Sequence, residues 1–134
     1  MDTPTVDYAI ARTLDLSYED ADTQVRDALQ AEGFGVLTEI DVAATLKEKL
    51  DVDFPPYEIL GACNPPLAHQ ALQTEADIGL LLTCNVVVRA LGDGRTVVEA
   101  LDPVKQLGVA DNPSLPELAE EVRARMRRVV DSLG

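Results

Sequence analysis

Residues 80–101 constrain the fold more than any other part of the chain. Apolar side chains alternate at Leu80, Leu82, Cys84, Val86 and Val88. The turn sequence Gly92-Asp93-Gly94 follows Leu91, and Arg95 to Leu101 resumes a strand-like run. Alternation with a period of two, broken by a glycine-rich turn, specifies a β-hairpin. The chain must therefore build an antiparallel sheet. Face matching sets the register. A three-residue loop pairs Leu91 with Arg95 and brings Val88 opposite Val98 and Val86 opposite Ala100, whereas a two-residue loop sets Val88 against Glu99 and mixes the faces. The other side of the long strand then carries Thr83, Asn85 and Arg89, with Glu99 diagonal to Arg89.

The flanking sequence supplies the other elements. Val6, Tyr8 and Ile10 alternate as a first strand ending near Thr13. Ser17 with Asp20 resembles a capping box, and Tyr18, Ala21, Val25, Ala28 and Leu29 form one helical face closed by Gly33. Phe34, Val36 and Ile40 resume alternation. Asp41 caps a short helix whose inward face is Val42, Leu46 and Leu50, and Pro55-Pro56 ends it. A third strand runs from Tyr57 to Cys63, in which Cys63 shares parity with Tyr57 and Ile59. Asn64 before Pro65 then opens a short helix through Leu67, Ala68, Ala71 and Leu72. Asp102-Pro103 stops the hairpin, and the stretch to Pro113 carries little pattern. Ser114 with Glu117 opens a last helix striped by Leu115, Leu118, Val122, Met126, Val129, Val130 and Leu133. Its late turns hold Arg123, Arg125, Arg127 and Arg128, an arginine edge suited to the negative end of the helix dipole. The pattern predicts one α+β domain over residues 1–134, a mostly antiparallel sheet with helices on one face.

Composition narrows the function. The chain has 134 residues and a formal charge of -13, from 11 basic and 24 acidic side chains. Phosphate backbones and anionic lipid would repel it, so neither nucleic acid nor membrane is an expected partner. The acidity is uneven: residues 1–32 hold eight acids against two arginines, while residues 120–134 hold three acids against four arginines. Met1-Asp2-Thr3-Pro4 lacks the basic and apolar regions of a signal peptide, which predicts a cytoplasmic protein. Two cysteines and one histidine are too few for a closed structural zinc site. No phosphate-binding loop, dinucleotide fingerprint, nucleophile elbow or EF-hand loop occurs, so neither metal nor cofactor is expected.

Cys63-Asn64-Pro65-Pro66 is the most suggestive stretch, because it sets a thiol at a helix N-terminus, where exposed N–H groups favour a thiolate or a small anion. The same residues also read as a small apolar side chain and a cap. Cys84 is in phase with Val86 and Val88 and reads as core. His69 falls more than a turn into its helix, too far from Cys63 for a nucleophile–base pair. Arg89 and Glu99 read as a cross-strand ion pair on a sheet face that, if uncovered, would line a ligand groove or a dimer interface. Glu39, Asp41 and Glu58 are the carboxylates nearest one another for acid–base or metal chemistry.

Glu39-Ile40-Asp41, Leu46-Lys47-Glu48-Lys49-Leu50, Gly61-Ala62-Cys63-Asn64-Pro65, Cys84-Asn85-Val86-Val87-Val88 and Asp102-Pro103 together resemble domain-of-unknown-function family 302, in its cysteine-containing branch. Thr83 departs from the proline expected before the second cysteine. The resemblance implies a TATA-binding-protein-like α+β fold, β-α-β4-α with short helical insertions, and a homodimer. It supplies no catalytic residues. The expectation is a non-catalytic homodimeric module that binds a small ligand or peptide near Cys63, Asn64, Asn85 and Arg89. The alternative is a thiol-dependent enzyme or redox carrier that uses Cys63.

Overall fold

In the computed structural model, which describes residues 4–134, the hairpin strands β4 (Cys84–Ala90) and β5 (Thr96–Leu101) pair in the face-matched register. Val86 lies opposite Ala100, Val88 lies opposite Val98, and Leu91 N donates to Arg95 O at 3.0 Å. The run Met1-Asp2-Thr3, on which the expectation of a cytoplasmic protein mostly rests, lies outside the described residues. Strands β1 (Ala9–Leu14), β2 (Gly35–Asp41) and β3 (Tyr57–Cys63) complete an antiparallel sheet in the order β1-β5-β4-β3-β2. The helices are α1 (Tyr18–Ala31), α2 (Val42–Leu50), α3 (Pro65–Thr74), α4 (Pro103–Gly108) and α5 (Pro116–Asp131). With α2, α3 and α4 set aside, the order is β-α-β4-α, an α+β fold as expected.

Caps form where short-range chemistry predicts them. Ser17 accepts from Asp20 N at 3.1 Å, Asp41 from Ala44 N at 2.9 Å and Asn64 from Leu67 N at 3.4 Å. Gly33 takes the left-handed conformation (φ 85°) after the last turn of α1. Helices α1 and α5 lie on one face of the sheet. Ala21, Val25 and Leu29 from α1 and Val122, Met126 and Val129 from α5 close over Leu60, Ala62, Val86, Val88, Val98 and Ala100. Burying side chains as large as Leu29, Leu60 and Met126 contributes about 1.5–3 kcal/mol each. A second cluster, Ala71, Ile78, Leu107, Leu115 and Ala119, joins α3 to α4 and the start of α5.

Four expectations fail. Residues 80–83 do not extend β4, because Ala76–Leu81 coils as a 3-10 helix that plants Ile78 in the second cluster and leaves Leu80 exposed. The patternless stretch after Asp102 holds α4, capped by Asp102 accepting from Val104 N at 2.9 Å. The last helix begins at Pro116 with Leu115, not Ser114, in the cap position and no side-chain cap, and Asn112 Oδ1 accepts from Ser114 N at 2.9 Å. In α2 no side chain is buried, and Leu50, expected inward, is 66% exposed.

A bulge decides β2. The pairing jumps from Val36↔Ala62 to Thr38↔Gly61, so Leu37 is unpaired and every later residue changes face. Val36 stays with the core, while Ile40, expected on the same side, turns to the other face and is exposed. The same jump presses Thr38 onto Gly61. A Cβ at Gly61 would stand 2.1 Å from Thr38 Oγ1 and 3.0 Å from Thr83 Cγ2. Gly61→Ala should therefore lower stability by about 1–3 kcal/mol in urea unfolding, and adding Thr38→Ala should restore most of the loss. An unchanged midpoint in Gly61→Ala would show that Thr38 swings aside freely.

Candidate functional site

Strand alternation divides the candidate residues between the two faces of the sheet. Opposite the helices lie Tyr57 and Ile59 of β3, Asn85, Val87 and Arg89 of β4, and Glu99 and Leu101 of β5. Asn85 is exposed, and Ile59, Val87, Arg89 and Leu101 are half-buried. Arg89 and Glu99 form the expected diagonal pair, Nε to Oε1 at 3.0 Å, with side chains 13% and 18% exposed. Beside them a hollow of about 250 Å³ is lined by Tyr8, Tyr57, Asn85, Val87, Glu99 and Leu101. Burial and the Glu99 carboxylate push the Tyr57 hydroxyl upward, partly offset by Arg89, so Tyr57 enters the site as a neutral phenol. Phe54 packs edge-on against Tyr57 at 6.0 Å between ring centroids. The hollow offers two phenols, a carboxamide and a carboxylate over an apolar floor, which suits orientation of a bound molecule and contains no nucleophile–base pair.

Asn64 does not join Asn85 and Arg89. Its Oδ1 caps α3, and its Nδ2 donates to Glu32 O at 3.4 Å, so the carboxamide ties the end of α1 to the start of α3. Cys63 lies at the far end of β3, half-buried. Its expected burial with Tyr57 and Ile59 is corrected, because the core parity of β3 belongs to Leu60 and Ala62. Both cysteines and Asn64 border a cavity of only about 30 Å³, room for about one water. His69 is exposed on α3.

The arginine edge predicted on the last helix is largely neutralised. Arg123 pairs with Glu120 at 2.7 Å, Arg125 with Glu121 at 2.9 Å and Arg128 with Glu32 at 2.9 Å. Glu39 and Glu58 do come together on the helix-covered face, around Arg26 of α1, while Asp41 lies opposite Glu58 in the ladder and caps α2. Arg26, Asp22 and Tyr18 were missed as members of this group. No local signal singled them out, because β3 is apolar on both sides, with Tyr57, Ile59 and Cys63 on one and Leu60 and Ala62 beside Glu58 on the other. Among the described residues no group of three or more His, Cys, Asp or Glu side chains is placed to hold a metal ion.

Burial pushes the Cys63 thiol up, opposite to the shift a helix-activated nucleophile needs, and the Cys84 thiol up to about 11, through burial and then through Cys63. Alkylation at neutral pH should therefore find Cys63 slower than a free model thiol and Cys84 slower still, by about a hundredfold. A Cys63 rate above that of the free thiol would revive thiol chemistry.

Among the described residues no helix is long and apolar enough to cross a membrane. No curated protein matches the chain. The crystal structure of an uncharacterized conserved protein DUF302 from Bacillus stearothermophilus superposes with a TM-score of 0.87 at 28% identity, covering 96% of this chain and 100% of that one. The family model "Domain of unknown function DUF302" matches residues 10–133, and with strand order, caps and hairpin register all in place the chain belongs to that family.

Proposed function

We propose that the protein is a homodimeric binding module whose working surface is the open face of the sheet, and that this face takes a small ligand or a short peptide. The observation that carries the reading is the charge of that face. On a chain of formal charge -13, the charged strand side chains on the open face are Arg89 and Glu99, bound to each other. A second, equally acidic copy meets no net repulsion there, whereas the acid-rich α1 surface opposes it. Apolar content supports the same surface, since Ile40, Ile59, Val87 and Leu101 supply area to bury. The hollow beside Tyr57 and Asn85 supplies the polar groups that orient a ligand. Under this reading the protein works in the cytoplasm, where both thiols stay reduced.

Of the four residues expected at the site, Asn85 and Arg89 carry this proposal, while Cys63 and Asn64 border the small cavity at the start of α3. The thiol-dependent alternative has no observation in its favour, because burial raises both thiols.

Light scattering on the purified chain should give twice the 14.4 kDa chain mass. Val87→Asp should yield monomers of unchanged helix content, by planting an unpaired charge in the interface. In a thermal-shift screen of small amides, carboxylates and short peptides, a stabiliser should lose its effect in Asn85→Ala. A wild-type monomer at about 100 μM, far above the Kd of a standard-sized interface, would sink the dimer. A hit indifferent to Asn85→Ala would sink the site.

A further inference from the structure

Glu58 is a carboxyl on the wrong side of its strand. It lies on the helix-covered face of β3 in phase with Leu60 and Ala62, its side chain is 13% exposed, and its Oε1 is buried without a donor. The charged and titratable groups around it come from two neighbouring elements. From α1 come Tyr18, Asp22 and Arg26, and from β2 come Glu39 and Asp41. Val88, its partner on β4, is apolar and buried. Arg26 is shared: Nε binds Asp22 at 2.9 Å, one terminal nitrogen binds Glu39, and the other stands 3.7 Å from Glu58. One guanidinium therefore serves three carboxyl groups, with the Asp41 carboxylate close by.

Negative charge exceeds the one guanidinium in such a group, and a proton kept by one carboxyl lessens the excess. Burial, the hydrogen bond to Asp22 and the Asp22 charge push Glu58 up from 4.5 to about 8, against the opposing pull of Arg26. The protonated form is thus favoured in the folded chain. Since the folded value is raised, this stabilisation is complete below the unfolded value near 4.5 and is lost as pH rises through about 8.

The surrounding structure determines what gives way when the proton leaves to solvent. β4 and β5 are locked under α1 and α5, but β2 is an edge strand interrupted by the bulge at Leu37, most of its side chains are exposed, and α2 buries none of its own. A principal tie from β2 to α1 is the Arg26–Glu39 pair. Relief of repulsion therefore costs least at this edge. We propose that Glu58 is a protonation-sensitive latch. Protonated, it lets Arg26 hold α1 to the β2–β3 corner. Ionised, it competes with Glu39 for that one guanidinium, and the β2–α2 edge detaches while the rest of the sheet stays closed.

Amide hydrogen exchange, corrected for the intrinsic pH dependence of the chemistry, tests this on the full chain between about pH 6 and about pH 9.5. Protection in β2 and α2 should fall at least about tenfold across the range while β4 keeps its own. Glu58→Gln, which keeps shape and removes the charge, should abolish the fall. Asp22→Asn gives a second arm that does not alter Glu58, and it should move the midpoint down by about one pH unit or more. Flat protection in the wild type, a fall spread evenly over β4, an unaltered fall in Glu58→Gln, or an unmoved midpoint in Asp22→Asn would each overturn the latch.

Discussion

Alternation along the central strand β4 puts Cys84, Val86 and Val88 under α1 and α5 and turns Asn85, Val87 and Arg89 the other way. Burying that one face supplies most of the driving force, and the rest of the structure adapts to it. β3 and β5 must match the faces of β4, which fixes their registers. The stripes of α1 and α5 must meet Val86, Val88, Val98 and Ala100, which fixes the helices. Polar groups at the rim are then consumed in closing the layers. Thr96, fully buried, donates to Leu16 O at 2.9 Å, and Arg12 donates to Asp131 O at 2.8 Å near the end of α5.

That requirement explains why Asn64 serves structure. Glu32, at the end of α1, has its carbonyl bound by Asn64 and by Arg125 and its carboxylate by Arg128. The junction of α1, α3 and α5 is thereby knitted by groups that, read along the chain, looked free. Asp102 plays a similar part, capping α4 while its carboxylate lies 3.7 Å from Arg123 of α5. On the opposite face of the sheet no such closure was needed.

The two faces also differ in how they hold charge. On the open face Arg89 and Glu99 form a simple pair near solvent, which contributes little net stability and costs little to keep. On the covered face Glu58 is desolvated, and a buried carboxyl without a full partner is retained only at some cost in stability. Replacing Glu58 by an apolar residue would suit the core better, so its position is where local consistency breaks. Such breaks concentrate where a protein does something besides fold.

The sequence by itself determined the hairpin and its register, the caps at Ser17, Asp41 and Asn64, the left-handed turn at Gly33, and the Arg89–Glu99 pair. Each is set by neighbours in the chain or by a period of 2 or 3.6 that survives in one dimension. Tertiary structure alone decided the bulge at Leu37, the coiling of residues 80–83 and the helix after Asp102. Each depends on what a distant element leaves room for: Gly61 for Thr38, and the second cluster for Ile78 and Leu107. The site was legible to the same extent. Asn85, Arg89 and Glu99 could be placed on one face by counting residues. The gathering of Tyr18, Asp22, Arg26, Glu39 and Glu58 could not, because it joins a helix to two strands through contacts that span up to 40 residues, and no local pattern records which side of β3 the helices cover.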